Sequence, residues 1–253
     1  MVPASSGDHP EYRASVCEHE VCPPQRVQKG HMTDADRSAI EGQARKWSST
    51  FEQRPGFLGV EPSQPGRDAL NRFEQVGAST VLELGAGQGR DTLLFAQAGL
   101  NVVALDYASE GLVQVAEAGR DLSVDGRITP CVADVREALP FDDAMFDACY
   151  AHMLLSMALT TREIEKLTRE VWRVLRPDGL FVYTVRNKSD AHYEQGVSHG
   201  DDRFEMGGFI VHFFDRALVD RLAANGFDLL DMQEQEEGRL PRRLFVVTMR
   251  AVK

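Results

Sequence analysis

Short apolar runs and longer amphipathic segments alternate along most of the chain. The run Val102-Val103-Ala104-Leu105 is too short for a helix and rich in branched residues, which predicts a buried strand. The segment Glu163–Leu175 has apolar residues at helical spacing and is ended by Pro177 and Gly179. Such an alternation indicates an α/β protein. The predicted strands lie at residues 80–84, 102–105, 128–132, 145–151, 179–185, 227–233 and 243–249. The predicted helices lie at about 33–47, 64–76, 91–99, 111–120, 163–175 and 215–225.

Residues 1–32 lack this periodicity and are rich in Pro, Ser, Gly, His and charge, which predicts a disordered tail. We expect 33–253 to form a single domain, with N-terminal helices or a lid at 33–75 and the core at 76–253. The periodicity also disappears over 186–212, which we interpret as an insertion.

The aromatic stretch that follows Trp47 is broken by Pro and Gly, and it has two interpretations. It is either a strap packed on the domain or a lid, in which Trp47 and Phe57 exclude water from the site.

Composition narrows the possible partners. With 253 residues, 43% of them hydrophobic, the chain can bury a full core, and its net charge of -11 argues against binding a nucleic-acid backbone. No apolar run reaches membrane-spanning length, and the 4 cysteines form no disulfide framework, so we expect a soluble cytoplasmic protein with reduced thiols. Cys17 and Cys22 could offer thiolates, but no companion pair has zinc-finger spacing, and we predict no metal site. The sequence leaves monomer or homodimer open.

A glycine-rich turn joins the first predicted strand to a helix. Gly85, Gly87 and Gly89 recur at every second position, Glu83 precedes them, and Arg90 stands where a dinucleotide fingerprint has its last glycine. A carboxylate at this place suits a cationic amino-acid group better than a diphosphate. The motif resembles motif I of the class I S-adenosylmethionine-dependent methyltransferases.

Two further stretches resemble the same family. One is Leu139-Pro140-Phe141 followed by Phe146-Asp147, and the other is Val174-Leu175-Arg176-Pro177-Asp178-Gly179 between a helix and a strand. The element order, which we interpret as βαβαβαβαβαββ, is similar as well. The resemblance implies a Rossmann-like, seven-stranded, mostly parallel sheet with helices on both faces and an antiparallel last strand. It also implies S-adenosylmethionine as the cofactor.

Polar residues at successive strand ends are the candidate cofactor contacts. Asp106 ends the second strand, where a carboxylate can accept both ribose hydroxyls, although it could instead be a helix N-cap. Tyr107 could lie against the adenine, and Asp134 is placed to bind the adenine amino group, unless it only caps its loop. The predicted cofactor-binding residues are Glu83, Gly85, Ala86, Gly87, Gly89, Asp106, Tyr107, Asp134, Val135 and Ala151.

The carboxyl ends of the later strands should line the acceptor pocket, because parallel strands end at one edge of a sheet. Histidine is the natural base near neutral pH, and the candidates, in order, are His152, His212 and His192. The predicted substrate-binding residues are Trp47, Met153, Tyr193, Glu205, Phe213, Arg242 and Arg243. Each has an alternative: the histidines and aromatics could be core or loop residues, and the arginines could pair with Glu236 and Glu237.

The hypothesis is methyl transfer to a small molecule by in-line displacement, at an oxygen, nitrogen, sulfur or metalloid nucleophile. Methylation of nucleic-acid bases is disfavoured, because His152-Met153-Leu154-Leu155 stands where such enzymes have an (Asp/Asn)-Pro-Pro-aromatic motif. Two alternatives stay open. One is a non-catalytic module that binds S-adenosylmethionine, and the other is a nicotinamide-dependent oxidoreductase.

Overall fold

The structure is a computed structural model that describes residues 34–238 and 242–253. Side chains are described from residue 42 onward. The predicted tail, with Cys17 and Cys22, lies outside the described residues. Residues Asp34–Lys253 form one compact unit.

Six α-helices and ten strands make up the described part of the chain. In chain order they are α1 Asp34–Gln53, α2 Gln64–Gln75, β1 Thr80–Leu84, α3 Arg90–Gln97, β2 Asn101–Asp106, α4 Ser109–Asp121, β3 Ile128–Val132, β4 Phe146–His152, α5 Thr161–Val174, β5 Leu175–Arg186, β6 Val197–Ser198, β7 Arg203–Met206, β8 Phe209–His212, α6 Arg216–Ala223, β9 Phe227–Glu237 and β10 Arg242–Ala251. Short 3-10 helices lie at Asp125–Arg127 and Leu154–Ser156.

Seven strands form one sheet in the order β3-β2-β1-β4-β5-β10-β9. Strands β1 to β5 pair in parallel, whereas β10 runs antiparallel to both of its neighbours. The fold class is therefore confirmed, including the antiparallel last strand. The carboxyl ends of β1, β2, β4 and β5 meet at one edge of this sheet, as parallel strands must.

Each face of the sheet is covered by helices. On one face the apolar sides of α2, α3 and α4 pack on the strands, with Phe73, Phe95 and Val115 in the core. On the other face α5 and α6 do the same, with Leu167 and Leu222 in the core. Helix α5 begins with a capping box between Thr160 and Glu163.

The predicted order of elements is wrong at one place, because no helix connects β3 to β4. The connection contains Pro140, and its backbone groups are bonded by side chains of α5 instead. Glu170 accepts from the Leu139 N–H at 3.0 Å, and Arg173 donates to the carbonyls of Phe141 and Leu139 at 2.7 and 3.0 Å. These side chains meet the hydrogen-bonding needs that a helix would otherwise meet.

The insertion at 186–212 is ordered rather than structureless. It contains a small antiparallel sheet in the order β6-β7-β8, with Gly207 and Gly208 in the turn between β7 and β8. Its strands are too short, at 2 to 4 residues, to show an alternation in the sequence. That is why the periodicity disappears there.

Candidate active site

The described residues surround a cavity of about 720 Å³ at the edge where β1, β2, β4 and β5 end. This volume lies within the range of about 300–1,000 Å³ that is typical of small-molecule sites. The glycine turn forms one side of the cavity. The rest comes from α1, the residues after β4, the insertion and the start of β10.

The glycine turn needs residues without a Cβ. Gly85, Gly87 and Gly89 have φ angles of 71°, 55° and 82°, which other residues rarely adopt. A Cβ on Gly87 would lie 2.9 Å from Cδ1 of Leu58, and one on Gly111 of α4 would lie 2.3 Å from the Gly87 carbonyl oxygen. The turn is therefore held between α4 and the segment after α1.

Asp106 joins the turn to the end of β2. Its Oδ2 accepts from the Gly87 N–H at 2.9 Å, and its Oδ1 accepts from the Ala108 N–H at 2.8 Å. Asp106 is not itself the N-cap of α4, since Ala108 holds that position. The carboxylate lines the cavity, and burial raises its pKa in spite of both hydrogen bonds.

Glu83 is a buried carboxyl group in the cavity wall. The Thr92 hydroxyl donates to its Oε2. Burial, with the charge of Asp91, raises the pKa of Glu83 to about 8. A cation bound beside Glu83 would favour the carboxylate form again, which suits the ammonium of an amino-acid group.

The other predicted cofactor residues divide into two groups. Tyr107 and Val135 line the cavity together with Gly85 and Ala86, and burial raises the pKa of Tyr107. Asp134 instead forms an ion pair with Arg136 and lines a small side cavity of about 40 Å³. Ala151 and Gly89 do not line the large cavity, because Ala151 is in the core and Gly89 packs on Val115.

His152 ends β4 and has a partner for each ring nitrogen. Its Nδ1 lies 2.9 Å from the Thr184 hydroxyl, which also accepts from the Met153 N–H at 2.9 Å. Its Nε2 lies 3.3 Å from Oε1 of Glu237. Both His152 and Met153 line the cavity, as the sequence predicts.

Glu237, at the end of β9, holds three residues of the cavity wall. Its carboxylate contacts Arg90 at 3.4 Å and Arg242 at 3.8 Å in addition to His152. Burial alone would raise the pKa of Glu237, but the hydrogen bond with His152 and the nearby positive charges lower it to about 2. Glu237 therefore stays charged over the whole physiological range.

A second ion pair stands at the end of β5. Arg186 forms a bidentate pair with Asp190, and its Nη2 lies 2.6 Å from Nδ1 of His192. Arg186 and His192 line the cavity. Asp190 also accepts from the backbone N–H of Arg243 at 2.9 Å, which fixes the pair to β10.

Helix α1 and the insertion close the cavity with aromatic side chains. The ring centroid of Trp47 lies 6.3 Å from that of Phe57 and 5.0 Å from that of Phe209 in β8. Lys46 donates to the Gly207 carbonyl and lies over the Phe209 ring. The segment after Trp47 is thus packed on the domain and also forms part of the cavity wall.

Several predicted acceptor residues do not line this cavity. His212 is buried, its ring Nδ1 lies 2.8 Å from the Leu159 carbonyl, and burial lowers its pKa. Tyr193 donates to Asp202 and, with Phe213, belongs to an aromatic cluster inside the insertion. These positions serve packing in the insertion.

The remaining two predicted residues, Glu205 and Arg243, are engaged in pairs. Glu205 lies 2.9 Å from His199, and Arg243 lies 3.5 Å from Glu236 across the β9–β10 pair. Because neighbouring residues of a strand face opposite sides, Arg242 lines the cavity and Arg243 does not.

Sequence reasoning gave no site role to three charged residues that line the cavity, namely Arg90, Asp91 and Arg186. Arg186 ends an apolar strand, a position that could have signalled a rim residue. Glu237 was considered only as a partner of the arginines and Asp190 not as a site residue, because their importance depends on which cations they meet in space. The ion pairs weighed for Arg242 and Arg243 are present, and Arg242 also lines the cavity.

None of the helices in the described part of the chain is both long and apolar enough to cross a membrane. Among the same residues, no group of three or more His, Cys, Asp or Glu side chains is placed to hold a metal ion.

The sheet order, the glycine turn and the carboxylates at the ends of β1 and β2 define a class I S-adenosylmethionine-dependent methyltransferase fold. Residues 81–179 match the family model described as a methyltransferase domain. This part of the chain is thus similar to a methyltransferase domain.

Curated relatives are similar over part of their length. Phosphoethanolamine N-methyltransferase 1 of Triticum aestivum is 31% identical over 61% of this chain and 29% of its own length. A malonyl-[acyl-carrier protein] O-methyltransferase of Erwinia billingiae is 34% identical over 64% of this chain and 59% of its own. The chain thus spans less than two thirds of the length of these relatives.

Solved structures share the fold over most of the chain. The 1,6-didemethyltoxoflavin-N1-methyltransferase of Burkholderia thailandensis, solved with S-adenosylhomocysteine, is 20% identical with a TM-score of 0.67, over 90% of this chain and 94% of that one. The [4+2]-cyclase SpnF is 18% identical with a TM-score of 0.62, over 85% and 97%. The fold alone therefore does not fix the reaction.

Proposed function

We propose that this protein transfers a methyl group from S-adenosylmethionine to a small-molecule acceptor. The observation that carries the proposal is the large cavity, which joins the glycine turn to a separate set of polar and aromatic side chains. We call His152, Arg186, His192 and Arg242 the acceptor wall. A module that only binds the cofactor does not need such a wall.

The cofactor fits the residues of the glycine-turn side. Glu83 is a buried carboxyl group whose charged form a bound cation would stabilise, and Asp106 has a carboxylate at the cavity surface. Gly85 and Gly87 of the turn line the cavity without side chains of their own. S-adenosylmethionine supplies an electrophilic methyl group there when it is bound.

The chain's own residues then have to align the acceptor and exclude water, since in-line displacement depends on alignment. Trp47, Phe57 and Phe209 give the cavity an apolar cover. Such a cover removes competing water from the reaction.

We propose His152 as the base when the acceptor arrives protonated. It lines the cavity, and Glu237 would stabilise the ring once it has taken a proton. Both ring nitrogens have partners in the structure, so the acceptor must displace one of them. Catalytic hydrogen bonds commonly form only in the substrate complex. His192 is the second candidate, and the buried position of His212 speaks against it.

The test has two stages. Calorimetry with S-adenosylmethionine and with NAD(H) is run on the wild type, on Asp106→Asn and on the exposed control Asp121→Asn. Binding of S-adenosylmethionine alone, lost only in Asp106→Asn, supports the cofactor site. Binding of NAD(H) instead would contradict it.

Formation of S-adenosylhomocysteine is then followed with thiols, phenols, amines and carboxylic acids. Turnover with one of these classes supports the enzyme. Tight cofactor binding without turnover on any class would favour a non-catalytic module.

We further propose that the protein acts in the cytoplasm as one domain over 33–253 and does not act on nucleic acid. The net charge of -11 supports the last point, because phosphate backbones require a basic face. The oligomeric state can be measured by light scattering.

A further inference from the structure

We propose that the methyl acceptor carries an anionic group, a carboxylate or a phosphate, bound by Arg186, His192 and Arg242. The inference rests on the proposed function, because it names the substrate class of the same site. It follows from which atoms of the acceptor wall already have partners and which are left to face a ligand.

Arg186 has a hydrogen-bonding group to spare. Its Nε and Nη2 are bonded to Asp190, and Nη2 also contacts His192. Within residues 34–238 and 242–253, no hydrogen bond involves its Nη1. The side chain is only 8% exposed, yet it lines the cavity. An unbonded guanidinium nitrogen on a side chain that lines a cavity can donate to a bound acceptor group.

His192 adds a second donor beside it. An arginine can only donate, so Nδ1 of His192 accepts the bond from Arg186 at 2.6 Å. The same Nδ1 lies 3.4 Å from Oδ1 of Asp190. With Nδ1 accepting from Arg186, a neutral ring carries its proton on Nε2. No other described residue bonds to that nitrogen, and His192 lines the cavity. The pair thus presents N–H groups and no lone pair.

Arg242 lies on the same face of the sheet as Arg186. Leu244 pairs directly with Arg186 across β10 and β5, and Arg242 is two residues before Leu244 on its strand. Residues two apart on a strand share a face. The closest anion to Arg242 among the described residues is Glu237, at 3.8 Å and without a hydrogen bond. This guanidinium is thus free to bind a ligand in the cavity.

The balancing carboxylates do not line the cavity. Three arginines do so, Arg90, Arg186 and Arg242, whereas their partners Asp190 and Glu237 do not. Arg90 belongs to the glycine-turn side, so the two arginines of the acceptor wall, Arg186 and Arg242, are matched by two carboxylates that do not line the cavity. The acidic residues that do line the cavity are Glu83, Asp91 and Asp106, and these belong to the glycine-turn side.

This distribution is unusual for a chain with a net charge of -11. A wall whose guanidinium donors line the cavity while their carboxylate partners do not favours a group that accepts hydrogen bonds and carries negative charge. Carboxylates and phosphates meet both conditions. The cavity is also covered by the aromatic side chains of Trp47, Phe57 and Phe209. We therefore infer that the anionic group is attached to an apolar body.

The experiment uses three probes of similar size: benzoate, phenyl phosphate and neutral benzamide. The full chain is first titrated with S-adenosylhomocysteine by calorimetry, and each probe is then titrated into the loaded protein. Failure at the first titration would contradict the proposed function itself. Failure at the second, after the first succeeds, would contradict only the anionic acceptor.

We expect benzoate, phenyl phosphate or both to bind at least about tenfold more tightly than benzamide, since charge-assisted hydrogen bonds are the stronger kind. Preference for benzoate identifies a carboxylate and preference for phenyl phosphate identifies a phosphate. Arg242→Gln should remove most of this preference. Arg243→Gln should keep it, because Arg243 has almost the same exposure, 49% against 50%, but pairs with Glu236 away from the cavity.

A second variant tests the buried pair. Arg186→Gln combined with Asp190→Asn removes both charges together, so that neither is left buried alone. It should also lose the preference for anions while keeping S-adenosylhomocysteine binding. If this variant does not fold, Arg242→Gln against Arg243→Gln decides. The proposal is overturned if benzamide binds as tightly as the anions, if no probe binds the loaded protein, or if Arg242→Gln keeps the full preference.

Discussion

The glycine-turn side of the cavity and the acceptor wall are formed by different kinds of chemical groups. The first uses backbone and three carboxyl groups, all between Glu83 and Asp106, with Tyr107 and Val135 beside them. The second uses charged side chains from the ends of β4 and β5, the insertion and the start of β10. One side is continuous in sequence, whereas the other assembles only when distant segments meet.

Because of this difference, the two sides should tolerate different substitutions. The glycine turn depends on close approach of backbones, so a single added methyl group should damage it. The acceptor wall depends on a balance of charges, so its variants should fold and bind cofactor but react poorly. Changes on one side should therefore leave the other intact, and the predictions below test that separation.

The largest effect is expected for Gly111→Ala. The added Cβ would lie 2.3 Å from the Gly87 carbonyl oxygen, so α4 has to move away from the turn. We expect S-adenosylmethionine affinity to fall about a hundredfold, equal to about 2.7 kcal/mol, as measured by calorimetry. In Gly42→Ala the new methyl group meets nothing within 4 Å inside α1, and the helix should gain about 1 kcal/mol. Equal cofactor affinity in both variants would show that α4 does not position the turn.

An effect of the same size, on kcat/KM rather than on cofactor affinity, is expected for His152→Gln and lies entirely on the acceptor side. Loss of the base should lower kcat/KM about a hundredfold for an acceptor that arrives protonated. The affinity for S-adenosylmethionine should stay within about threefold of the wild type, a difference worth less than about 1 kcal/mol. His199→Gln is the matched control, because His199 also pairs with a glutamate, at 2.9 Å, but does not line the cavity. An unchanged kcat/KM in His152→Gln would remove His152 from catalysis.

A smaller effect, graded with pH, is expected at Glu83. Burial raises its pKa from 4.5 to about 8, so the empty site holds the neutral acid near neutral pH. Binding an ammonium group requires the carboxylate, and one proton must leave. Between about pH 6 and 7.5 the affinity for S-adenosylmethionine should therefore rise about tenfold per pH unit.

The proton release can be measured directly by calorimetry in two buffers of different ionisation enthalpy. Glu83→Gln has the same shape and should bind more weakly with no dependence on pH. The stability of the empty protein should change in the opposite sense. Because the folded state keeps the proton that the unfolded state loses above about pH 4.5, stability should fall as the pH rises from there towards 8. A flat affinity profile in the wild type would show that Glu83 does not bind the ammonium group.

The smallest effect is expected for Glu237→Gln. The neutral amide can still contact Arg90 and His152, but it no longer balances their charges. We expect kcat/KM to fall about tenfold, because the hydrogen bond and the charge that hold His152 and the arginines are weakened. Glu236→Gln should leave kcat/KM unchanged, because its exposed pair with Arg243 contributes little. An unchanged kcat/KM in Glu237→Gln would show that Glu237 does not support the reaction.

The sequence was a good guide wherever local patterns determine structure. The strands and their order, the glycine turn, and the positions of Glu83 and Asp106 follow from periodicity and from residues close together in the chain. The absence of a helix between β3 and β4 was missed, because the groups that replace its hydrogen bonds belong to Glu170 and Arg173 of α5.

The acceptor wall shows more clearly what could not be predicted from the sequence. His152, His192, Trp47, Met153 and Arg242 line the cavity as predicted. The sequence also favoured residues of the same chemical types that do not line it, namely His212, Tyr193, Glu205, Phe213 and Arg243. Residue type could not separate the two sets, because the facing direction depends on register and on the small sheet of the insertion.

What the sequence by itself determined is the class of fold and the cofactor side, since alternation of apolar residues and the spacing of glycines act over a few residues. Only the tertiary structure decided the acceptor side. It placed Asp190 and Glu237 outside the cavity lining, where they pair with the arginines. The donor groups of Arg186, His192 and Arg242 remain available to a ligand in the cavity. The physical reason is that charge balance is a property of groups close in space, and these groups come from strands and loops far apart in the chain.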